Sequence, residues 1–266
     1  MAAQRTFGDV TVEVGDDHVA TVEMHRPPAN FFDTSLIADL ADAVGWVDDG
    51  AAEEGGWAVL LCAEGKHFCA GADFQGASDA EPLDASGASA LYAEAVRLFS
   101  CATPIVAAVQ GAAIGGGLGV ACAADFRVVA PSSRLAANFA RLGFHQGFGL
   151  SVTLPRIVGM QRAMELLYTG ARIDGTEAAR IGLADRLVDD DGDLRGAARE
   201  LAAEIAGSAP LAVRSIRATL RGDLAGLVRE ITRHEDAEQV RLRATADFAE
   251  GVAAYGERRP ARFTAR

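Results

Sequence analysis

A run of 21 residues from Pro104 to Ala124, with Gln110 its one polar side chain, constrains this chain more than any other stretch. Its length would suit a membrane-spanning helix. Its glycines, however, crowd into one cluster, and Asp125 and Arg127 follow at once. The run therefore reads as a buried strand, Ile105 to Val109, then a glycine turn, then a buried helix. A strand with no polar face needs cover on both sides, which demands a layered α/β body.

Other segments fit such a body. Val10 to Val14 alternates, and after Gly15-Asp16-Asp17 the residues Ala20, Val22 and Met24 alternate again, which predicts a hairpin. Asp33-Thr34-Ser35 offers a helix cap, with Leu36, Leu40, Val44 and Val47 following on one face. Trp57 to Cys62 and Phe126 to Ala130 read as further buried strands, and Leu91, Ala95 and Leu98 form a helical stripe that ends at Thr103-Pro104. The small, polar segment from Gly76 to Gly87 reads as a loop. A helix over Met160 to Tyr168 closes at Gly170, Thr176 is expected to cap a short helix, and Leu187-Val188 is expected to be a brief strand. From Leu194 the chain is helical, broken at residues 207–210. This predicts a core over residues 1–205 and a helical region over 206–266 suited to contact between subunits.

At 266 residues, half of them hydrophobic, the chain can bury a large core. Its net charge of −12 argues against nucleic acid or an anionic membrane as partner. Met1 to Val10 lacks the apolar core of a secretory signal. Cys62, Cys69, Cys101 and Cys122 sit in apolar contexts without CxxC spacing, as reduced thiols of a cytoplasmic protein do. The histidines, His18, His25, His67, His145 and His234, make no i, i+4 pair, so no metal is expected.

Two glycine clusters carry the chemistry. Lys66-His67-Phe68-Cys69-Ala70-Gly71-Ala72-Asp73 follows one buried strand, and Gly111 to Leu118, with Gly115-Gly116-Gly117, follows another. Small residues let backbone approach a ligand, and a strand-to-helix turn aims N–H groups at it with the helix dipole behind them. Two such turns facing one pocket would make an oxyanion hole. The spacing matches neither a dinucleotide fingerprint nor a P-loop.

Phe68 to Asp73 and Pro104 to Gly117 resemble the two signature segments of the enoyl-CoA hydratase/isomerase (crotonase) superfamily. His25 to Asn30 is similar to its first CoA-contacting loop, and Phe248 to Phe263 to its closing segment. The resemblance implies a spiral of repeated ββα units with a C-terminal helical trimerisation region, an acyl-CoA substrate with no cofactor beyond the CoA moiety, and a homo-oligomer, trimer or dimer of trimers. It implies that Ala70 and Gly116 hold the thioester oxygen on their N–H groups. Arg26, Pro27, Ala29, Phe68, Ala70, Ala72 and Asp73 are expected to contact CoA, and Phe263, with Arg266, to reach a neighbour's CoA.

The same resemblance places carboxylates at three positions that here are Gly119, Phe139 and Gly147. No Asp or Glu lies between Asp125 and Glu165, so a slip in alignment does not restore one. His145 is then the candidate base, with Gln146 able to orient water, and Phe139, Phe144 and Phe148 suggesting an apolar or aromatic pocket. Asp73 reads as a helix cap or, less readily, an acid. Three readings stay open: an enolate-forming enzyme that hydrates poorly, a silent acyl-CoA-binding protein, and a thioester hydrolase or decarboxylase.

Overall fold

A computed structural model describes residues 3–50, 55–72, 89–189 and 193–266; Asp73 and the 76–87 loop lie outside them. Strands β1 (Ala3–Phe7), β2 (Val10–Val14) and β3 (Val19–Met24) form an antiparallel meander. The expected hairpin pairs Val10 with Met24, Val12 with Val22 and Val14 with Ala20, which puts the valines on one inward face. Helix α1 (Thr34–Gly50) crosses over and leads to β4 (Ala58–Ala63), parallel to β3. Asp33 Oδ1 accepts the Leu36 N–H at 2.9 Å, the cap expected of it.

Helix α2 (Ala90–Ser100) precedes β5 (Ile105–Val109), β6 (Ala112–Ile114) and α3 (Gly116–Ala123). All eight residues of α3 are buried, so the apolar run is a strand and a short internal helix. Strand β7 (Phe126–Val129) follows, then β8 (Arg134–Ala136), a 3-10 turn at Asn138–Leu142, α4 (Leu150–Val158), α5 (Met160–Thr169), β9 (Arg172–Asp174), α6 (Gly175–Arg180) and β10 (Arg186–Leu187). The large sheet runs β1-β2-β3-β4-β5-β7-β10, parallel from β3 onward, and a small sheet runs β6-β8-β9.

The continuous apolar strands are explained by the layers. Val59, Leu61, Ile105 and Ala107 face the main core with α1, α2 and α3. Alternate residues Ala58, Leu60, Cys62, Val106 and Ala108 face α7 (Leu194–Ala206) through its Leu194, Ala198, Leu201 and Ala202.

Two local expectations shift. Asp174, not Thr176, caps α6, because its Oδ1 is the group that accepts the Glu177 N–H, at 2.8 Å. The brief strand is Arg186–Leu187, with the Val188 N–H still donating to Val129 O at 2.9 Å. Helix α4 is not apparent in the sequence, since Pro155 and the glycines before it break the pattern.

The tail is α8 (Pro210–Arg221), α9 (Leu224–Arg243) and α10 (Ala246–Gly256). It is fastened to the body by charge: Arg217 Nε and Arg221 Nη1 each donate to Asp125 at 2.8 Å. It also shares the core, because Val228 belongs to the main cluster and Leu242 and Phe248 pack on it. Among the described residues no helix is long and apolar enough to cross a membrane.

Candidate functional site

The two glycine clusters meet because their backbones pair. Phe68 N–H donates to Gln110 O at 2.8 Å, Cys69 N–H to Ala112 O at 2.9 Å, and Ile114 N–H returns to Cys69 O at 3.1 Å. Gly117 permits the approach, since a Cβ there would overlap the Cys69 carbonyl oxygen. The joined segments form one wall of a cavity of about 870 Å³ that holds Ala70, Ala72, Gly115 and Gly116. Phe31, Phe32, Phe139, Phe144 and Phe148 form much of the rest, so the aromatic pocket expected from the sequence exists.

Gly116 is the first residue of α3, where an N–H has no intrahelical acceptor. Ala70 does not match it: its N–H donates to Ala29 O at 3.0 Å. That acceptor is firmly placed. Asn30, fully buried at φ 48°, accepts the Arg26 N–H at 2.9 Å and donates through Nδ2 to Glu64 O and His67 O at 2.9 and 2.6 Å. Phe32 N–H adds a bond to Gly71 O at 3.1 Å. The Ala70 donor is thus engaged by the 26–32 loop. Ala72, which also lines the cavity, has an N–H with no acceptor among the described residues.

What fills the three carboxylate positions is now visible. A Cβ on Gly119 would sit 2.7 to 2.9 Å from Phe148 Cβ, Cδ1 and Cγ, so Gly119 lies behind that ring and not on the cavity. Phe139 lines the cavity edge-on to Phe144 at 5.4 Å between centroids, and Phe144 stands against Phe248 at 5.4 Å. A Cβ on Gly147 would overlap Tyr92 Oη and lie 2.5 Å from Gln239 Nε2, so a phenol and a carboxamide stand in that space.

The expected base, His145, is not brought to the cavity. Its Nδ1 lies 2.8 Å from the Gln146 carbonyl oxygen, its ring stands edge-on to His234 at 5.7 Å, and it does not line the cavity. Gln146 also turns away, donating to Ser151 Oγ at 3.0 Å. Phe68 is a fully buried core residue, and Arg26 is tied to Asp9 and Asp33 at 2.7 Å each. Pro27 begins a cis peptide bond to Pro28. Phe263 stands by an adjoining cavity of about 390 Å³ with Arg259, which shares Arg172 with the main one. Burial pushes the Cys69 thiol up to about 12, so it is a core group and not a nucleophile.

Among the cavity residues that the sequence did not single out are Tyr92, Gln239 and Arg243. Tyr92 lies in the apolar face of α2, where an aromatic reads as core, and the other two lie on a helix read as an oligomer contact. Arg243 stacks over the Phe144 ring at 5.6 Å. Glu235, one turn before Gln239, is fully buried and accepts the Gly149 and Ser151 N–H groups at 2.8 and 3.0 Å, which caps α4 from outside. Burial raises its pKa, against the pull of those donors. Among the described residues lining the cavity there is no Asp or Glu, while Arg172, Arg243 and Arg258 are present.

A parallel-sheet body that brings a glycine loop and a helix N-terminus together over an aromatic cavity defines an α/β protein of the crotonase fold. The family model for enoyl-CoA hydratase/isomerase matches residues 15–266. A crotonyl-CoA hydratase of Syntrophomonas wolfei is 33% identical over 252 residues, covering 93% of this chain and 95% of that one. A carnitinyl-CoA dehydratase of Citrobacter koseri is 31% identical over 246 residues, covering 91% and 93%. The crystal structure of an enoyl-CoA hydratase/isomerase from Pseudoalteromonas atlantica superposes with a TM-score of 0.82 at 29% identity, over 96% of this chain and 100% of that one. The chain belongs to the enoyl-CoA hydratase/isomerase family.

Proposed function

We propose that this protein is a cytoplasmic enzyme that binds an acyl-CoA thioester and carries it through an enolate, its thioester oxygen held by the N–H groups of Gly116 and Ala72. The observation that carries the reading is the convergence of the two glycine clusters on one cavity. Ala72 replaces Ala70 as second donor because the Ala70 N–H is already bonded to Ala29. A helix N-terminus and a second backbone N–H at the wall of an aromatic cavity stabilise developing negative charge.

Hydration of a crotonyl-type thioester should be slow. It needs water placed and a proton moved, and a single acid or base contributes about 10²–10⁴-fold. The residues at two of the three carboxylate positions give their space to Phe148 and to Tyr92 with Gln239, and the third is Phe139 itself.

Gly116→Pro tests the donor, because proline is tolerated at the first helical position and lacks the N–H. Phe32 must yield to any Cβ at 116, so Gly116→Ala is the control that keeps the N–H. Bound acetoacetyl-CoA should lose enolate absorbance by about 10²–10³-fold in the equilibrium for Gly116→Pro relative to Gly116→Ala. Equal enolisation in both variants, with CoA ester still bound, would overturn the assignment.

We also propose a homotrimer or dimer of trimers. Leu211, Ile216 and Leu220 on α8 are 79%, 58% and 81% exposed, an apolar face that suits a subunit contact. Light scattering at micromolar concentration should give three or six chains; a monomer would refute it.

A further inference from the structure

The polar groups facing the cavity near position 147 come from elements far apart in sequence. Tyr92 on α2 is only 5% exposed, yet its hydroxyl reaches the cavity wall because Gly147 has no side chain to exclude it. Gln239 on α9 reaches the same point. Tyr92 Oη occupies the space that a side chain at 147 would fill. Gln239 Nε2 donates to His145 O at 3.0 Å, and its Oε1 accepts from Arg243 Nη2 at 3.3 Å.

We propose that Tyr92 is the catalytic acid of this site, giving its hydroxyl proton to the carbon of the thioester enolate. This rests on the reading of the cavity as an acyl-CoA site. In the step, the carbon–carbon π pair of the enolate takes the proton and forms a C–H bond. The O–H pair stays on Tyr92 as a phenolate, the thioester carbonyl re-forms, and a proton from solvent restores the phenol. The substrate class is a CoA thioester whose reaction ends with protonation of an enolate carbon, rather than one needing a water held between two carboxylates.

The surroundings suit both states of the group. Burial, then the charges of Glu235 and Asp236, raise the phenol's pKa, so it enters the step protonated and acts as an acid. Arg243 and the Phe148 N–H favour the phenolate once it forms. Glycine at 147 thus gives Tyr92 its place at the cavity wall, and Arg243 eases the charge of the phenolate.

Malonyl-CoA tests the acid alone, because it makes its enolate by losing CO2 and needs no base to do so. In D2O the wild-type protein should release acetyl-CoA carrying one deuteron. Tyr92→Phe keeps the ring and should lower turnover by about 10²-fold or more with KM little changed. Gly147→Ala, which drives a methyl into the place of the hydroxyl, should show the same loss and serves if Tyr92→Phe fails to fold. Wild-type turnover in Tyr92→Phe overturns the proposal, as does wild-type protein that binds malonyl-CoA and releases no acetyl-CoA. Failure to bind either malonyl-CoA or butyryl-CoA overturns instead the acyl-CoA reading on which it rests.

Discussion

Restoring a glutamate at position 119 should not restore a hydratase. In this fold the Cβ of such a residue meets Phe148 at 2.7 to 2.9 Å, and Phe148 is 1% exposed with the Phe32 ring edge-on and the Phe99 ring tilted against it at 5.8 and 6.3 Å between centroids. The ring therefore has nowhere to go without moving its neighbours. Overpacking of this kind costs about 1–3 kcal/mol, before any charge is counted. The carboxylate would also be buried against a ring without a donor, which adds to the loss. Phe148→Ala alone should cost about 3–5 kcal/mol through the cavity it leaves. The two changes share the same space, so the double variant should be less destabilised than the separate losses combined, by about 0.5–3 kcal/mol. Urea denaturation measures these differences, and loss of enoyl absorbance with crotonyl-CoA measures hydration. Gly119→Glu with stability within about 0.5 kcal/mol of wild type and faster hydration would refute the packing argument.

Asn30→Ala should leave two carbonyls and an N–H of the 26–67 clamp unpaired, at about 1–3 kcal/mol for each buried group, and should loosen the Ala29–Ala70 bond. A loss under about 0.5 kcal/mol in denaturant would show that water takes over the clamp. Glu235 sets a pH dependence. Its pKa is raised in the folded state above an unfolded value near 4.3, so its contribution to stability is fully present below about pH 4 and declines as pH rises through the folded pKa. The stability gap between wild type and Glu235→Ala should therefore be wider at about pH 4 than at about pH 8; a gap that widens with pH would show that the Gly149 and Ser151 donors outweigh burial.

What could be read from the chain was whatever depends on neighbours in sequence. The both-sided burial of β4 and β5 follows from unbroken apolar runs, and the Val10–Met24 hairpin from alternation around a turn. The two glycine clusters were legible because close backbone approach leaves a compositional trace, and the absence of acid at 119, 139 and 147 is a fact of the sequence itself.

The rest depends on residues that meet only when the chain closes. An N–H is a donor to a ligand only if nothing else takes it, and the Ala29 carbonyl that takes the one on Ala70 comes from a loop 41 residues earlier in sequence. His145 is an imidazole in the segment expected to line the pocket, but its Nδ1 lies against the Gln146 carbonyl and the ring does not line the cavity. Tyr92 lies on the buried face of α2, and nothing local to it distinguishes a core phenol from one that reaches the cavity. The residue that tells them apart is Gly147, whose missing side chain acquires meaning only once α2, α9 and the 3-10 segment stand around it. Sequence set the materials and the backbone path of the wall; tertiary packing chose which of its groups face inward, because orientation is a property of contacts between distant segments.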